Sequence, residues 1–203
     1  KGFETVTIAY KGSVAHHDSA GNSGVIRPGD VQWMTAGAGI LHKEYHEEQF
    51  SKTGGPFEMV QLWVNLPKKY KSTPAHYQPL TAAQMGKLEL PGNGGVVNVI
   101  AGSFNGVSGP ADTYSPVNVA DIKLKKGAEI STLTEEGYNT ALLVINGHGE
   151  VNGEPFFGRE YTWIFEYMFN YYNSRLRYKF LIFVICIKGQ LCDDLLEVIY
   201  GLL

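Results

Sequence analysis

The sequence predicts an all-β protein built from two tandem β-barrels, up to about residue 154. Short runs of apolar or alternating residues follow one another, and turn-forming residues separate them at a regular spacing. Such spacing is typical of a β-barrel or a β-sandwich. The predicted strands cover residues 5–10, 14–17, 24–26, 31–35, 59–66, 96–101, 120–124 and 141–145. The turns between them include residues 11–12, 18–22, 27–30, 92–95, 126–127 and 146–149.

A weak internal repeat favours two barrels over one. Residues 5–14 and 138–151 each consist of a strand, a glycine turn and a returning strand. A duplicated barrel explains this repeat most simply, with a boundary between about residues 79 and 90. We therefore expect an N-terminal barrel over residues 1–80 and a partial second barrel over residues 81–154. Between them, residues 81–87 are predicted to form a short helix with Thr81 as its N-cap.

The composition changes in the last part of the chain, over residues 155–203. Tyrosine and phenylalanine become frequent, glycine becomes rare, and the rhythm of β-turns stops. Two interpretations stay open: a helical cap with short helices at residues 163–172 and 191–203, or sequence foreign to the domain. The apolar run at residues 180–187 is far shorter than the roughly 20 residues of a membrane-spanning helix.

Charge and cysteine content narrow the classes of function. The chain has 203 residues and a formal net charge of −3, which does not favour binding to nucleic acid or to an anionic membrane. Its two cysteines provide no disulfide framework, which fits a cytoplasmic protein, or also a nuclear one in a eukaryote. The chain begins at Lys1 in the middle of a strand pattern, and we interpret this start as a truncation.

The strongest candidate for chemistry is a His-x-Glu pair, His42 and Glu44, at the end of residues 29–44. Alternate residues of a strand project from one face, so these two side chains would lie together. One imidazole and one carboxylate make half of a transition-metal site. By spacing alone the pair is weak evidence, because a solvated strand end would look the same. His46 would share the face, but we expect it to be exposed to solvent.

Other histidines and the neighbouring residues favour structural interpretations. Only one of the adjacent His16 and His17 can face inwards on a strand, and an exposed strand end explains them without a ligand role. His76 and His148 are expected at the surface. Trp33 fits core packing, whereas the glycines at residues 37–39 permit close approach of another strand or of a ligand.

Several motifs together resemble the pirin family, whose members contain two cupin barrels in tandem. They are GFETVT at residues 2–7, HHDSAGNSG at residues 16–24 and GDVQWMTAGAGILHKE at residues 29–44. Residues 56–67 and 136–154 add further matches. The resemblance covers about residues 1–154. Residues 155–203 do not resemble the family's continuation of the second barrel, so the comparison implies an incomplete barrel with open edge strands and poor solubility.

The resemblance implies one metal ion in the N-terminal barrel, Fe²⁺ or another divalent transition metal. The family binds it with two histidines of an HPH-type motif and with the histidine and glutamate that match His42 and Glu44. The first pair would lie immediately before Lys1, and this chain does not contain it. Because metal sites normally use three or four protein ligands, we expect this fragment to bind metal poorly and to be inactive. A broken gene product is a further interpretation.

The resemblance implies two alternative functions for the full-length protein that contains this chain. The first is a quercetin-type (flavonol) 2,3-dioxygenase, with a flavonol and dioxygen as substrates and the metal as a Lewis acid. His42 would be a neutral ligand, and Glu44 an anionic ligand and a proton acceptor. The alternative is an iron-dependent regulatory protein that binds a transcription factor or a metabolic enzyme. The residues expected around the site are Phe3, Trp33 and Met34 as apolar pocket walls and Glu4 as a supporting carboxylate.

Overall fold

A computed structural model describes residues 1–134, 138–157, 172–175, 180–188 and 196–201. Within these residues the chain is almost entirely β, as the sequence predicts, with a single short α-helix, α1 (Glu48–Thr53), and two 3₁₀ turns. It divides into two compact units. One unit contains Lys1–Gln84 together with Leu191–Leu203, and the other contains Met85–Gln190. The domain limits expected from the sequence stay a prediction.

The first unit contains two antiparallel sheets. The larger has five strands in the order β19-β6-β1-β4-β7, and the smaller has three in the order β3-β2-β5. The strands are β1 (Phe3–Lys11), β2 (Val14–Asp18), β3 (Ser23–Ile26), β4 (Val31–Thr35), β5 (His42–His46), β6 (Glu58–Asn65), β7 (His76–Leu80) and β19 (Leu196–Gly201). All five side chains of β4 are buried, so both faces of this strand are covered.

The second unit is built around a five-stranded sheet in the order β14-β18-β12-β9-β8. Its apolar side chains form one core cluster that includes Val97, Val99, Ile122 and Leu124. Three two-stranded sheets accompany it: β10-β11, β13-β17 and β15-β16. The strands are β8 (Gly86–Leu90), β9 (Gly95–Ala101), β10 (Ser103–Phe104), β11 (Val107–Ser108), β12 (Val117–Leu124), β13 (Glu129–Thr132), β14 (Tyr138–Asn146), β15 (His148–Val151), β16 (Glu154–Phe157), β17 (Tyr172–Arg175) and β18 (Phe180–Lys188).

The helix predicted at residues 81–87 is wrong. Thr81 and Gln84 close a single turn, in which the Gln84 side chain accepts hydrogen bonds from both the backbone and the hydroxyl of Thr81. The chain then enters β8 at Gly86 and pairs with β9. The capping pattern was therefore real, but the alternating side chains that follow it belong to a strand.

The described parts of the C-terminal segment form strands. Leu196–Gly201 pairs with β6 instead of forming the helix expected at residues 191–203. Phe180–Lys188 lies between β12 and β14 and pairs with both. Among the described strands, the sheet stays open at its two edge strands, β14 and β8. The helix expected at residues 163–172 lies outside the described residues, apart from Tyr172 at the start of β17. In the part of the chain that the structure describes, no helix has the length and apolarity needed to cross a membrane.

Candidate functional site

Strand β5 carries the predicted pair on the face that points towards the larger sheet of the first unit. Glu44 reaches that sheet by hydrogen bonds, and His42 and His46 share its face through strand alternation. The three side chains therefore form a row along β5, with Glu44 in the middle. The pairing of β5 with β2 is regular, so His42 and Glu44 project from the same face of β5, as the His-x-Glu spacing predicts.

Three neutral donors converge on the Glu44 carboxylate. Gln32 Nε2 donates to Oε1 at 2.6 Å, and Gln61 Nε2 donates to Oε2 at 2.8 Å. The hydroxyl of Thr7 donates to Oε1 at 3.1 Å. An ionised carboxylate is an acceptor only, so this set of donors matches the charged form of Glu44.

The register of the large sheet explains how these donors come together. Thr7 on β1 lies opposite Gln32 on β4 and opposite Gln61 on β6, so the three form one polar row across three strands. Gln61 also donates to the Thr7 hydroxyl at 3.1 Å and accepts a 3.0 Å hydrogen bond from the indole of Trp63. The polar row thus fixes one carboxylate and links it to an aromatic side chain.

His46 points to an apolar end of the interior. Its ring contacts Phe50 and Phe57, with ring centroids 5.5 and 4.8 Å apart. Phe57 belongs to a buried cluster with Ala9 and Val14. His46 is therefore half-buried against aromatic rings and not simply exposed to solvent, and these contacts give it a packing role.

His42 lies at the opposite end of the row and is exposed. It is opposite Asp18 in the pairing of β2 with β5. Among the described residues, no group of three or more histidine, cysteine, aspartate or glutamate side chains is arranged to hold a metal ion. The chemistry of His42 and Glu44 suits a transition metal, but these two donors alone do not complete a site.

His16 is the inward-facing member of the adjacent histidine pair. It lies directly opposite Glu44 on β2, is fully buried, and stacks on Tyr77 with centroids 4.4 Å apart. Neither of its ring nitrogens has a hydrogen-bond partner. Burial lowers the pKa of His16 below its ordinary value of 6.5, although the carboxylates of Asp18 and Glu44 oppose the shift. Burial likewise raises the pKa of Tyr77 above 10.0.

The remaining histidines are exposed to solvent. His17 is exposed, and its Nδ1 lies 2.6 Å from the hydroxyl of Tyr45. His76 and His148 are also exposed, the first on β7 and the second at the start of β15.

The structure places the predicted pocket residues on two different faces. Phe3 and Met34 share the face of the Thr7–Gln32–Gln61 row through strand alternation, and Phe3 stacks on Trp63 with centroids 4.7 Å apart. Trp33 and Glu4 project from the other face of the same strands. Trp33 is fully buried there, opposite Val6 and Gln78 in the sheet.

Glu4 is a buried carboxyl group on that second face. Its Oε1 accepts a 2.7 Å hydrogen bond from the Thr35 hydroxyl, and its Oε2 has no partner. Burial raises the pKa of Glu4 above its ordinary value of 4.5. The Thr35 hydroxyl, the nearby Trp33 indole and the charge of His76 oppose that rise. The indole N–H of Trp33 itself forms no hydrogen bond.

Sequence reasoning did not single out Thr7, Gln32, Gln61 or His16 as parts of the site. A signal was present for the two glutamines, since each interrupts an apolar strand, in VQWM and VQLW. A glutamine buried among such neighbours must find partners for its amide. The partner, Glu44, is remote in sequence and becomes apparent only from the pairing of the sheets.

The comparisons with known proteins agree with this architecture. A family model described as Pirin matches residues 1–64. A Pseudomonas aeruginosa protein named as a candidate quercetin 2,3-dioxygenase is 51% identical over 154 residues, which cover 76% of this chain and 54% of that protein. The crystal structure of a quercetin 2,3-dioxygenase from Acinetobacter baumannii is 42% identical, with a TM-score of 0.87 over 93% of this chain and 65% of that one.

A more distant structure shares the fold. The bacterial pirin of Escherichia coli, solved in complex with nickel(II), is 17% identical, with a TM-score of 0.71 over 94% of this chain and 74% of that one. The chain spans about half the length of the curated relatives it matches. The all-β prediction is confirmed, with cupin-like sheets that are not closed into full barrels. In sequence and in fold, the chain resembles the pirin family.

Proposed function

We propose that the full-length protein containing this chain is a metal-dependent dioxygenase that acts on a flavonol of the quercetin type. The observation that carries the proposal is the Glu44 carboxylate, fixed by three donors on the face that it shares with His42. The relatives named for quercetin 2,3-dioxygenase activity support the choice of substrate and of dioxygen as co-substrate.

The proposed metal site uses His42 and Glu44 as two of four ligands. The other two are histidines of the HPH-type motif, which we place before Lys1 in the full-length protein. The family resemblance favours iron, and the nickel(II) complex of the E. coli pirin supports a divalent transition metal in general. When bound, the metal would supply a Lewis acid that favours the deprotonated form of a substrate hydroxyl.

The chain's own residues would orient and receive the substrate. His42 offers a neutral nitrogen, and Glu44 offers an anionic oxygen that can accept the substrate's proton. Oε2 of Glu44 has one hydrogen bond, so it retains acceptor capacity. Phe3 and Met34 would provide apolar walls on the same face. Glu4 and Trp33 lie on the other face, so their effect would be transmitted through β1 and β4.

Oxygen consumption by the full-length protein tests the proposal. We expect uptake of oxygen with quercetin after loading with Fe²⁺, and its loss with a chelator. His42→Ala and Glu44→Gln should each lower the rate by about 100-fold or more, a loss of roughly 2.7 kcal/mol in transition-state stabilisation. His17→Ala is the matched control, since this exposed imidazole lies on the adjacent strand.

The opposite result has a clear meaning. A protein that binds iron tightly but consumes no oxygen with any flavonol would contradict the dioxygenase proposal. It would favour the alternative of a metal-dependent binding protein.

A further inference from the structure

The proposed metal site assigns no role to the buried imidazole of His16. Its two ring nitrogens are buried without partners, although the great majority of buried polar side-chain atoms have at least one. A neutral imidazole carries one donor and one acceptor, so two hydrogen bonds are forgone. Its stacking on Tyr77 holds the ring in place without using either nitrogen.

The position of His16 indicates what the missing partner is. His16 faces the same interior as Glu44 because the two residues are directly opposite each other on paired strands. Tyr77, which stacks on it, lies opposite Met34, one of the apolar residues on the Glu44 face. The unpartnered nitrogens therefore belong to a side chain on the same face as Glu44, the expected acid–base group, and we place the substrate of the proposed reaction against this face.

We propose that His16 is a substrate-binding residue whose imidazole hydrogen-bonds a hydroxyl group of the flavonol. The inference rests on the proposed function and extends it to the choice of substrate. A hydroxylated flavonol satisfies a buried nitrogen, whereas an unsubstituted flavone of similar shape leaves it without a partner. His16 thereby selects for hydroxylation of the planar ring system, while stacking and apolar walls accept either molecule.

Binding measurements without turnover test this role. Quercetin and flavone are titrated into the Fe²⁺-loaded full-length protein in the absence of oxygen, so that no turnover occurs, and intrinsic tryptophan fluorescence is recorded. His16→Phe preserves a ring that can stack on Tyr77 and removes both nitrogens. We expect quercetin affinity to fall roughly tenfold, as for one lost buried hydrogen bond, and flavone affinity to change by less than about twofold. His17→Phe, at the exposed neighbouring position, should change neither affinity.

The outcomes separate the two proposals. If His16→Phe binds quercetin as tightly as the unmodified protein, the nitrogens are satisfied by trapped water and the role of His16 is refuted, while the proposed function survives. Equal losses for quercetin and flavone would assign His16 to packing and refute the inference in the same way. If the unmodified protein binds neither molecule, the flavonol proposal fails and the inference fails with it.

Discussion

At the residue scale, Glu44 shows how a carboxylate can be held inside a β-structure. Its three donors come from one row of the opposing sheet, and none of them carries a charge. These hydrogen bonds keep the carboxylate oxygens of Glu44 at defined positions. His42, the neighbouring residue on the same face of β5, remains exposed to solvent. Hydrogen bonds to a charged group contribute about 1.5–3 kcal/mol each, so the polar row also stabilises the fold.

Gln61 is the most connected member of the row, and its removal should be costly. Gln61→Leu deletes a donor to Glu44 and leaves the Trp63 indole without its acceptor. We expect the free energy of unfolding to fall by about 1–3 kcal/mol, measured by urea denaturation. The same substitution at Gln49, exposed on α1, should change it by less than about 0.5 kcal/mol. Equal effects at both positions would show that the row does not stabilise the protein.

Glu4 should make stability depend on pH. Its pKa is raised in the folded protein, mainly by burial, so the folded state favours the neutral carboxyl. The neutral Glu4 carboxyl therefore contributes to the free energy of unfolding. This contribution is fully present below the pKa of Glu4 in the unfolded chain, about 4.5, and is lost as the pH rises through its pKa in the folded protein.

Glu4→Gln mimics the neutral carboxyl and should remove that loss. Urea midpoints measured from pH 4 to pH 8 should show the variant gaining on the unmodified protein as the pH rises. Glu48→Gln, on the exposed surface of α1, controls for the removal of one carboxylate. A difference between the Glu4 variant and the unmodified protein that stays constant with pH would contradict the assignment.

At the scale of elements, close backbone contacts position the strands of the second unit. Gly86 begins β8, and a Cβ atom there would lie only 2.2 Å from the carbonyl oxygen of Ser108. The obstacle is backbone, so it cannot move aside as a flexible side chain would.

Gly86→Ala should therefore separate β8 from β11. We expect a loss of about 1–3 kcal/mol in the free energy of unfolding, the usual cost of overpacking. Lys87→Ala is the control on the same strand, since the Lys87 side chain is exposed. Thermal and urea unfolding of both variants would measure the effect, and similar stabilities would show that the two strands separate at little cost.

The positions of the strands could be predicted from the sequence better than the strands with which each one pairs. Residues 5–10 and 31–35 alternate or run apolar between turns, and the structure contains β1 and β4 there. Residues 196–201 were ambiguous, because leucines at a helical spacing surround the β-branched Val198 and Ile199. The edge of β6, more than 100 residues away, decides the outcome, and no local pattern reveals it.

The candidate site could likewise be predicted from the sequence only where it depends on local strand geometry. Strand alternation predicted that His42 and Glu44 share a face, because that depends only on local geometry. It could not show that Gln32 and Gln61 hold Glu44, or that His16 and not His17 faces inwards, because both depend on the register between strands. Trp33 and Met34 were both expected to be pocket walls, whereas adjacent residues on a strand face opposite ways.

At the scale of the whole molecule, the number of metal donors is the decisive quantity. The described residues hold two candidate donors and no cluster of three. The proposal therefore predicts that metal affinity depends on residues before Lys1. Each additional ligand adds a bond without the entropic cost of capturing another free ion, so affinity should rise steeply when the histidine pair is present.

Two forms of the protein test this dependence. We expect the full-length protein to bind Fe²⁺ or Ni²⁺ at least about 100-fold more tightly than the chain Lys1–Leu203, a difference of roughly 2.7 kcal/mol. His42→Ala in the full-length protein should remove most of that gain, while His148→Ala, in the second unit, should leave it unchanged. Anaerobic calorimetric titration gives both affinities directly. Tight binding by the shorter chain would mean that donors within it complete the site, and the assignment of the missing ligands to an upstream motif would be wrong.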